Sequence, residues 1–289
     1  MTFHLMARPR GGWLALAELA LLIAIFIFIN FAAVLAFGIA DPEWLNAFME
    51  DDAARPADVY IIAFSIAAPL LAAWIARRNP AGLISVESRV RWRYVGLAAA
   101  VAVPVFGAIA VYDALQGGLT VNTSTLAVAI AMVFVVPVQS ATEELMFRAA
   151  LPQIVGNWLK PAWVAYGASV LPFVFMHLYN LIGLVDIFIF AVCAAYLTWR
   201  SGGIEQATVL HAASNTYVFV FQALRPDVVP TTEVSWADTA LFSSLTIGVT
   251  VGIALLTRAK TGTAIPTAPV CPVAQVPANA QVLQPQPRG

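Results

Sequence analysis

About eight long apolar stretches limit the fold of this chain more than any other feature of its sequence. They lie near residues 14–38, 59–76, 94–115, 125–142, 162–179, 183–199, 204–224 and 238–257. Each approaches the roughly 20 apolar residues that a helix needs to cross a lipid bilayer. Charged residues make up only 11% of the 289 residues, whereas a soluble domain carries about 25%. The sequence therefore predicts an all-α, polytopic membrane bundle of about eight transmembrane helices.

The same pattern divides the chain into four parts. Residues 1–124 are expected to form N-terminal transmembrane helices, and the first of them, about Leu14–Ile39, is too long for the core of a signal peptide. Residues 125–224 are expected to form a core that carries the polar motifs, and residues 225–260 the last transmembrane helix. Residues 261–289 are rich in Pro, Ala, Gln and Val, which is typical of a disordered tail.

The distribution of charge orients the bundle. Basic residues flank alternate ends of the spans: Arg8, Arg10, Arg77, Arg78, Arg89, Arg91, Arg93, Arg200, Arg258 and Lys260. The opposite loops carry acidic residues, namely Asp41, Glu43, Glu50, Asp51, Asp52, Asp227 and Glu233. Because basic residues stay on the cytoplasmic side, we expect both termini in the cytoplasm, in a bacterial plasma membrane.

Composition also excludes several functional classes. The net charge of −1 argues against a nucleic-acid partner. The two cysteines, Cys193 and Cys271, provide neither a disulfide framework nor a Cys-x-x-Cys metal site. The lipid bilayer is the partner that the composition indicates.

One segment, Gln139-Ser-Ala-Thr-Glu-Glu-Leu-Met-Phe-Arg148, places three charges among apolar residues. An ionised side chain at the centre of a membrane helix costs at least about 2.5–3.5 kcal/mol. On a helix, Glu144 and Arg148 lie on one face, so we expect them to form an ion pair. Glu143 is rotated by about 100° from Glu144 and is left to face a cavity as a general base. The alternative is a structural ion network near the cytoplasmic interface.

Two further polar pairs follow in apolar stretches. His177 comes one helical turn after Phe173, and His211 and Asn215 share one helical face. Taken singly, His177 is typical of an interfacial residue, and the other two are typical of an interhelical hydrogen-bonded pair. Together with Glu143, the two imidazoles and the amide are the groups needed to activate water and stabilise an oxyanion.

The motifs Glu-Glu-x-x-x-Arg at 143–148, Phe-x-x-x-His at 173–177 and His-x-x-x-Asn at 211–215 resemble the three motifs of the CPBP family of intramembrane proteases. That family includes type II CAAX prenyl proteases, lysostaphin resistance protein A-like proteins, and bacteriocin-processing or self-immunity proteins. The resemblance covers about residues 126–221. It implies an all-helical core around a polar intramembrane cavity and endopeptidase activity on a membrane-anchored peptide or protein, such as a prenylated CAAX-type or leader-like substrate.

The resemblance also implies a role for each motif residue. Glu143 is expected to be the general base on water, and Glu144 and Arg148 are expected to support it. His177 is expected to hold and polarise the same water.

For the last motif, the resemblance implies that His211 and Asn215 stabilise the tetrahedral oxyanion. A zinc ion held by Glu143, His177 and His211 is a further possibility, because one carboxylate and two imidazoles leave a position open for water. Against it, there is no His-Glu-x-x-His, and the three candidate ligands are scattered over separate segments. We expect that no metal is obligatory.

The expected spans contain one geometrical conflict. They place Glu143 near the cytoplasmic end of the fourth helix and His177 near the end of the fifth helix on the opposite side of the membrane. Prolines in this region permit breaks, and irregular backbone is tolerated at depth where it lines a cavity. We expect either that 140–155 is intramembrane or that the fifth helix begins after residue 162. In both cases Glu143, His177 and His211 should converge within about 10 Å, close enough to share one water.

Two other functional classes fit the same residues. In a proton-coupled transporter, the Glu and His side chains would form a proton relay. In a non-catalytic scaffold or immunity protein, the cavity would bind a partner. Cleavage of a peptide bond that depends on Glu143 distinguishes the protease from both.

Overall fold

The computed structural model describes residues 2–7, 11–42, 56–228 and 231–261. Their helices are α1 (Gly12–Ala40), α2 (Pro56–Phe64), α3 (Ala67–Ile75), α4 (Trp92–Leu115), α5 (Thr123–Glu144), a π-helix (Leu145–Ala150), α6 (Leu151–Gly156), α7 (Ala162–Phe175), α8 (Leu181–Ser201), α9 (Glu205–Leu224) and α10 (Trp236–Thr261). Short 3₁₀ turns at Phe3–Leu5 and Pro80–Leu83 precede α1 and α4. The expected all-α class is confirmed.

Some expectations fall outside the described residues. These are the basic residues Arg8 and Arg10, the acidic stretch from Glu43 to Asp52, and the Pro-rich tail after Thr261.

Within the described part of the chain, six helical segments are long and apolar enough to cross a membrane: Gly12–Ala40, Ala57–Ile75, Trp92–Leu115, Thr123–Gly156, Leu181–Ser201 and Trp236–Arg258. Two further helices occupy expected spans. α7 is a shorter apolar helix, and α9 carries His211, Asn215 and other polar residues that lower its hydropathy. The prediction of a polytopic helical membrane protein is confirmed.

The fourth expected span, 125–142, is too short, because the helical run continues to Gly156. Asn122 caps its start, with its side chain accepting from the backbone N–H groups of Ser124 and Thr125. After Glu144 the chain forms one wide π-helical turn and then resumes as α6. Pro152 lies in the first turn of α6, where its missing N–H is tolerated, so it does not end the run.

Because the helical run continues to Gly156, Glu143 and His177 are no longer expected at opposite ends of the bundle. From Glu143 to Gly156 the run advances by about 20 Å, and from Ala162 to His177 the chain returns by a similar length. The fifth helix also ends at Phe175 rather than near residue 179. The α6–α7 hairpin therefore carries His177 back to the level of Glu143. Because α7 begins at Ala162, the alternative of a later start for the fifth helix is wrong, and the intramembrane position of 140–155 stays a prediction.

α9 occupies the centre of the bundle, where it contacts α4, α5, α8 and α10. Small residues such as Ala191, Ala194 and Ala207 are fully buried at helix contacts. In lipid, helices associate through close van der Waals packing and interhelical hydrogen bonds rather than the hydrophobic effect. One such bond joins Ser243 on α10 to the Asp186 carboxylate on α8 at 2.6 Å.

Two buried ion pairs fix the segment that follows α3. Arg91 bonds to both carboxylate oxygens of Glu205, at 2.8 Å each, and to the Ser201 carbonyl oxygen at 2.8 Å. Arg78 bonds to Glu18 at 2.7 Å. Because Glu205 is the first residue of α9, the Arg91 pair sets the position of the helix that carries His211.

Candidate active site

Glu143 and Glu144 lie in the last turn of α5, just before the π-helix. Successive residues on a helix point about 100° apart, and the two carboxylates therefore meet different surroundings. The Glu144 side chain is 0% exposed, whereas the Glu143 side chain is 13% exposed. The expected division between a buried carboxylate and a more open one is present.

Glu144 lies between a cation and an imidazole. Its Oε2 is 3.4 Å from Arg148 Nε, which is the ion pair expected from the i,i+4 spacing. Its Oε1 accepts a hydrogen bond from His211 Nδ1 at 2.8 Å. The second contact joins residues 67 positions apart in sequence, and the spacing of the motifs did not indicate it. Glu144 thus orients His211 as well as neutralising Arg148.

Arg148 is 1% exposed and is held by aromatic rings as well as by charge. Its guanidinium lies 3.9 Å from the centroid of the Phe173 ring and 5.7 Å from that of Phe190. Cation–π contacts of this kind become stronger when both groups are removed from water. Phe173, the first residue of the second motif, therefore fixes a residue of the first.

Of the two carboxylate oxygens of Glu143, Oε1 has a hydrogen-bond partner among the described residues and Oε2 has none. Its Oε1 accepts a hydrogen bond from Gln139 Nε2 at 2.7 Å. Its Oε2 is 3.5 Å from His211 Nε2 and has no hydrogen-bond partner among the described residues. A carboxylate that is oriented through one oxygen and free at the other has the geometry of a general base.

His211 is buried between the two glutamates. A carboxylate can only accept a hydrogen bond, so the short contact with Glu144 assigns a proton to Nδ1 and turns Nε2 toward Glu143. Phe190 packs edge-on against the imidazole with centroids 4.8 Å apart, and Phe173 does so at 6.2 Å. These contacts leave the ring little freedom to rotate.

His177 joins the same group from the loop after α7. Its Nδ1 donates to the Phe173 carbonyl oxygen at 2.8 Å, which assigns the proton to Nδ1 and leaves Nε2 for another partner. Its ring packs on Phe173 with centroids 4.8 Å apart. Glu143, His211 and Arg148 all interact electrostatically with it. Both imidazoles thus flank one phenylalanine ring.

Asn215 completes the group from α9, one turn after His211. Its Nδ2 donates to Gln139 Oε1 at 3.5 Å, a long hydrogen bond. The structure therefore brings all seven motif residues, Phe173 included, together at the junction of α5, the π-helix, α7 and α9.

Two residues of this site were not assigned from the sequence. Gln139 is linked to Glu143 by an i,i+4 spacing, a signal that is visible in the sequence. Phe190, on α8, contacts His211 and Arg148, but it looks like any other apolar residue of a span. Only the packing of α8 against α9 reveals its place.

The three candidate metal ligands do not form a metal cage. Among the described residues, no group of three His, Cys, Asp or Glu side chains is placed to hold a metal ion. His177 and His211 each commit Nδ1 to another group, which leaves Nε2 of each ring as the nitrogen that could bind a metal. Glu143 approaches His211 in a contact of 3.5 Å, with the two groups facing each other rather than a shared point.

Comparison with known families identifies the segment that carries this site. The family model described as type II CAAX prenyl endopeptidase Rce1-like matches residues 122–217, which run from the N-cap of α5 into α9 and include all seven motif residues. Comparisons with curated proteins and with solved structures gave no match.

Proposed function

Because residues 122–217 belong to the type II CAAX prenyl endopeptidase Rce1-like family, we propose that this integral membrane protein hydrolyses a peptide bond of a membrane-anchored substrate with water activated by Glu143. The observation that carries the proposal is the environment of Glu143. Its Oε1 is fixed by Gln139. Its Oε2 is buried, faces His211 and has no hydrogen-bond partner among the described residues.

In the first step, water lies between Glu143 Oε2 and the open Nε2 of His177. Glu143 takes one proton from this water as its oxygen attacks the carbonyl carbon of the scissile bond. His177 accepts a hydrogen bond from the second hydrogen through Nε2, since its Nδ1 is already committed to Phe173. The step forms a C–O bond and converts the carbonyl oxygen into an oxyanion.

His211 and Asn215 are assigned to the oxyanion. In the imidazolium form His211 supplies an Nε2–H donor to the oxyanion, while its Nδ1–H stays bonded to Glu144. Preorganised donors of this kind are among the largest contributions to acyl-transfer catalysis. Collapse of the intermediate breaks the C–N bond, and the proton on Glu143 passes to the leaving amine.

The proposed substrate class rests on the helical run that carries Glu143. That run, Thr123–Gly156, is long and apolar enough to cross a membrane, which supports a scissile bond presented by a lipid-anchored or membrane-inserted segment. A prenylated CAAX-type peptide is the first probe to use. We propose a bacterial plasma membrane as the location, and the arginine pattern supports both termini in the cytoplasm.

The mechanism proposed here uses no metal. Every step above is supplied by Glu143, His177, His211 and Asn215.

The test is cleavage of a fluorogenic farnesylated CAAX peptide by the full chain in proteoliposomes. Glu143→Gln keeps the shape and the Gln139 contact but removes the base, and we expect kcat to fall by about 10²–10⁴-fold with an unchanged melting temperature. The matched control is Glu87→Gln, since Glu87 is an exposed carboxylate that pairs with Arg89; it should cleave as the wild type does.

Other outcomes point to the competing functions. Proton-coupled flux into the vesicles without cleavage of any peptide bond indicates a transporter. A wild type and a Glu143→Gln variant that are equally active in cells, with no precursor accumulating in a proteomic comparison, indicate a scaffold. Either result overturns the peptidase.

A further inference from the structure

Gln139 is a buried glutamine that none of the three motifs includes. It lies on α5 one turn before Glu143 and is 4% exposed. A buried amide is costly unless its donor and acceptor are both satisfied. In this site the two ends of the amide reach two different motif residues: Nε2 reaches Glu143 at 2.7 Å and Oε1 reaches Asn215 at 3.5 Å.

The chemistry of the three side chains fixes the direction of both amides. A carboxylate accepts and never donates, so Gln139 must turn its NH2 group toward Glu143. Its Oε1 then faces α9 and needs donors, which Ser140 Oγ at 3.3 Å and Asn215 Nδ2 provide. Asn215 is therefore held with its own NH2 group toward the site rather than its oxygen.

The consequence concerns the remaining hydrogens of Asn215. Its NH2 group has two N–H bonds, and one is directed at Gln139. The second stays available to an oxyanion, whereas a flipped amide would present an oxygen and repel the same charge. The orientation of this donor thus depends on Glu143 through Gln139.

We propose that Gln139 is a positioning residue that holds the Glu143 carboxylate and the Asn215 amide in register, an inference that rests on the peptidase function proposed above. Gln139 links α5 to α9 and does not itself contact the substrate. Loss of this link displaces base and donor relative to each other, and misplacement by about 1 Å can cost about 10²-fold in rate.

The test uses the full chain in proteoliposomes with the farnesylated CAAX peptide. Gln139→Met keeps the length of the side chain but removes both hydrogen bonds. We expect kcat to fall by about 10- to 100-fold with KM within about twofold. The matched control is Gln206→Met, because Gln206 is also buried and its Nε2 donates to Thr257 at 2.6 Å; its kcat should stay within about twofold of wild type.

A double-variant cycle separates positioning from general destabilisation. If Gln139 acts partly through Asn215, the two changes are not independent. The fold-loss of kcat in the double variant Gln139→Met, Asn215→Ala should then be at least about fivefold smaller than the product of the fold-losses in the two single variants. Full multiplication of the single losses, or a Gln139→Met variant with wild-type kcat, overturns the proposal.

A second cycle needs no substrate. In the wild-type background Gln139→Met strands a buried carboxylate, so the melting temperature should fall. In a Glu143→Ala background, Gln139 Nε2 has already lost its acceptor. The same change then removes an unpaired amide, so the melting temperature should not fall. Equal decreases in both backgrounds overturn the Gln139–Glu143 contact. A wild type that does not cleave the probe overturns the peptidase function instead, and this cycle still decides the contact.

Discussion

Replacing Glu144 with glutamine separates the structural role of Glu144 from its effect on catalysis. The side chain is completely buried and contacts Arg148 at 3.4 Å and His211 at 2.8 Å. Glutamine has the same shape, so the change removes one charge and leaves the packing intact. Arg148, which is 1% exposed, then loses the negative charge nearest to it.

The stability effect follows from that buried cation. Removing one partner of a buried ion pair costs about 3–5 kcal/mol. At about 2–4 °C per kcal/mol for a chain of this size, the melting temperature should fall by about 6–20 °C. Glu143 also interacts with Arg148 electrostatically, which places the expected value in the lower half of that range.

The catalytic effect follows from His211. A hydrogen bond to a charged group contributes about 1–2 kcal/mol more than one between neutral groups. If the stabilised imidazolium donates to the oxyanion, losing that difference lowers kcat by about 5- to 30-fold. Melting temperature in detergent and kcat on the farnesylated peptide, measured well below the melting temperature, report the two effects separately.

A pair of comparison variants decides between them. Arg148→Met alone keeps the Glu144–His211 bond and should retain kcat within about threefold. Glu144→Gln combined with Arg148→Met removes the uncompensated cation, so the melting temperature should recover while kcat stays low. If the double variant regains wild-type kcat, the loss in the single variant came from unfolding, and the assigned role of the Glu144–His211 contact is refuted.

Three further outcomes are expected. Chelators such as EDTA or 1,10-phenanthroline should leave cleavage within about twofold, and a loss that zinc restores would contradict the metal-free mechanism. Arg91→Met should lower stability by about 3–5 kcal/mol, while Arg91→Met with Glu205→Met should recover most of it; equal losses in unfolding experiments would show that the pair is not coupled. Asn180→Ala should lower kcat by about 10-fold, because Asn180 ties the His177 loop to residues 232–234. Asn122→Ala, which removes a helix cap far from His177, is its control, and equal effects on kcat would contradict the argument.

The sequence predicted the parts of the site that depend on neighbouring residues. The Glu144–Arg148 pair follows from the i,i+4 geometry of a helix, and so does the shared face of His211 and Asn215. The different surroundings of Glu143 and Glu144 follow from the rotation of about 100° between successive residues. These relations are local, so they survive the one turn of π-helix that follows Glu144.

The sequence was less informative about the ends of the helices. Prolines near the motifs indicated breaks, but Pro152 falls in the first turn of α6, where a missing N–H costs little. The run therefore continues to Gly156, and the α6–α7 hairpin returns His177 to the level of Glu143. Local propensity does not determine such depths, because they depend on the lengths of two packed helices.

The sequence by itself determined the class of the protein, since long continuous apolar runs cross lipid as helices, which satisfy their own backbone hydrogen bonds. It also determined which charged and polar residues are too costly in lipid to be incidental. The tertiary structure alone decided how they are used. The contact of His211 with both glutamates, the bridge from Gln139 to Asn215, and the place of Phe190 all join separate helices. Such contacts arise from packing across the bundle, and no periodicity along the chain encodes them.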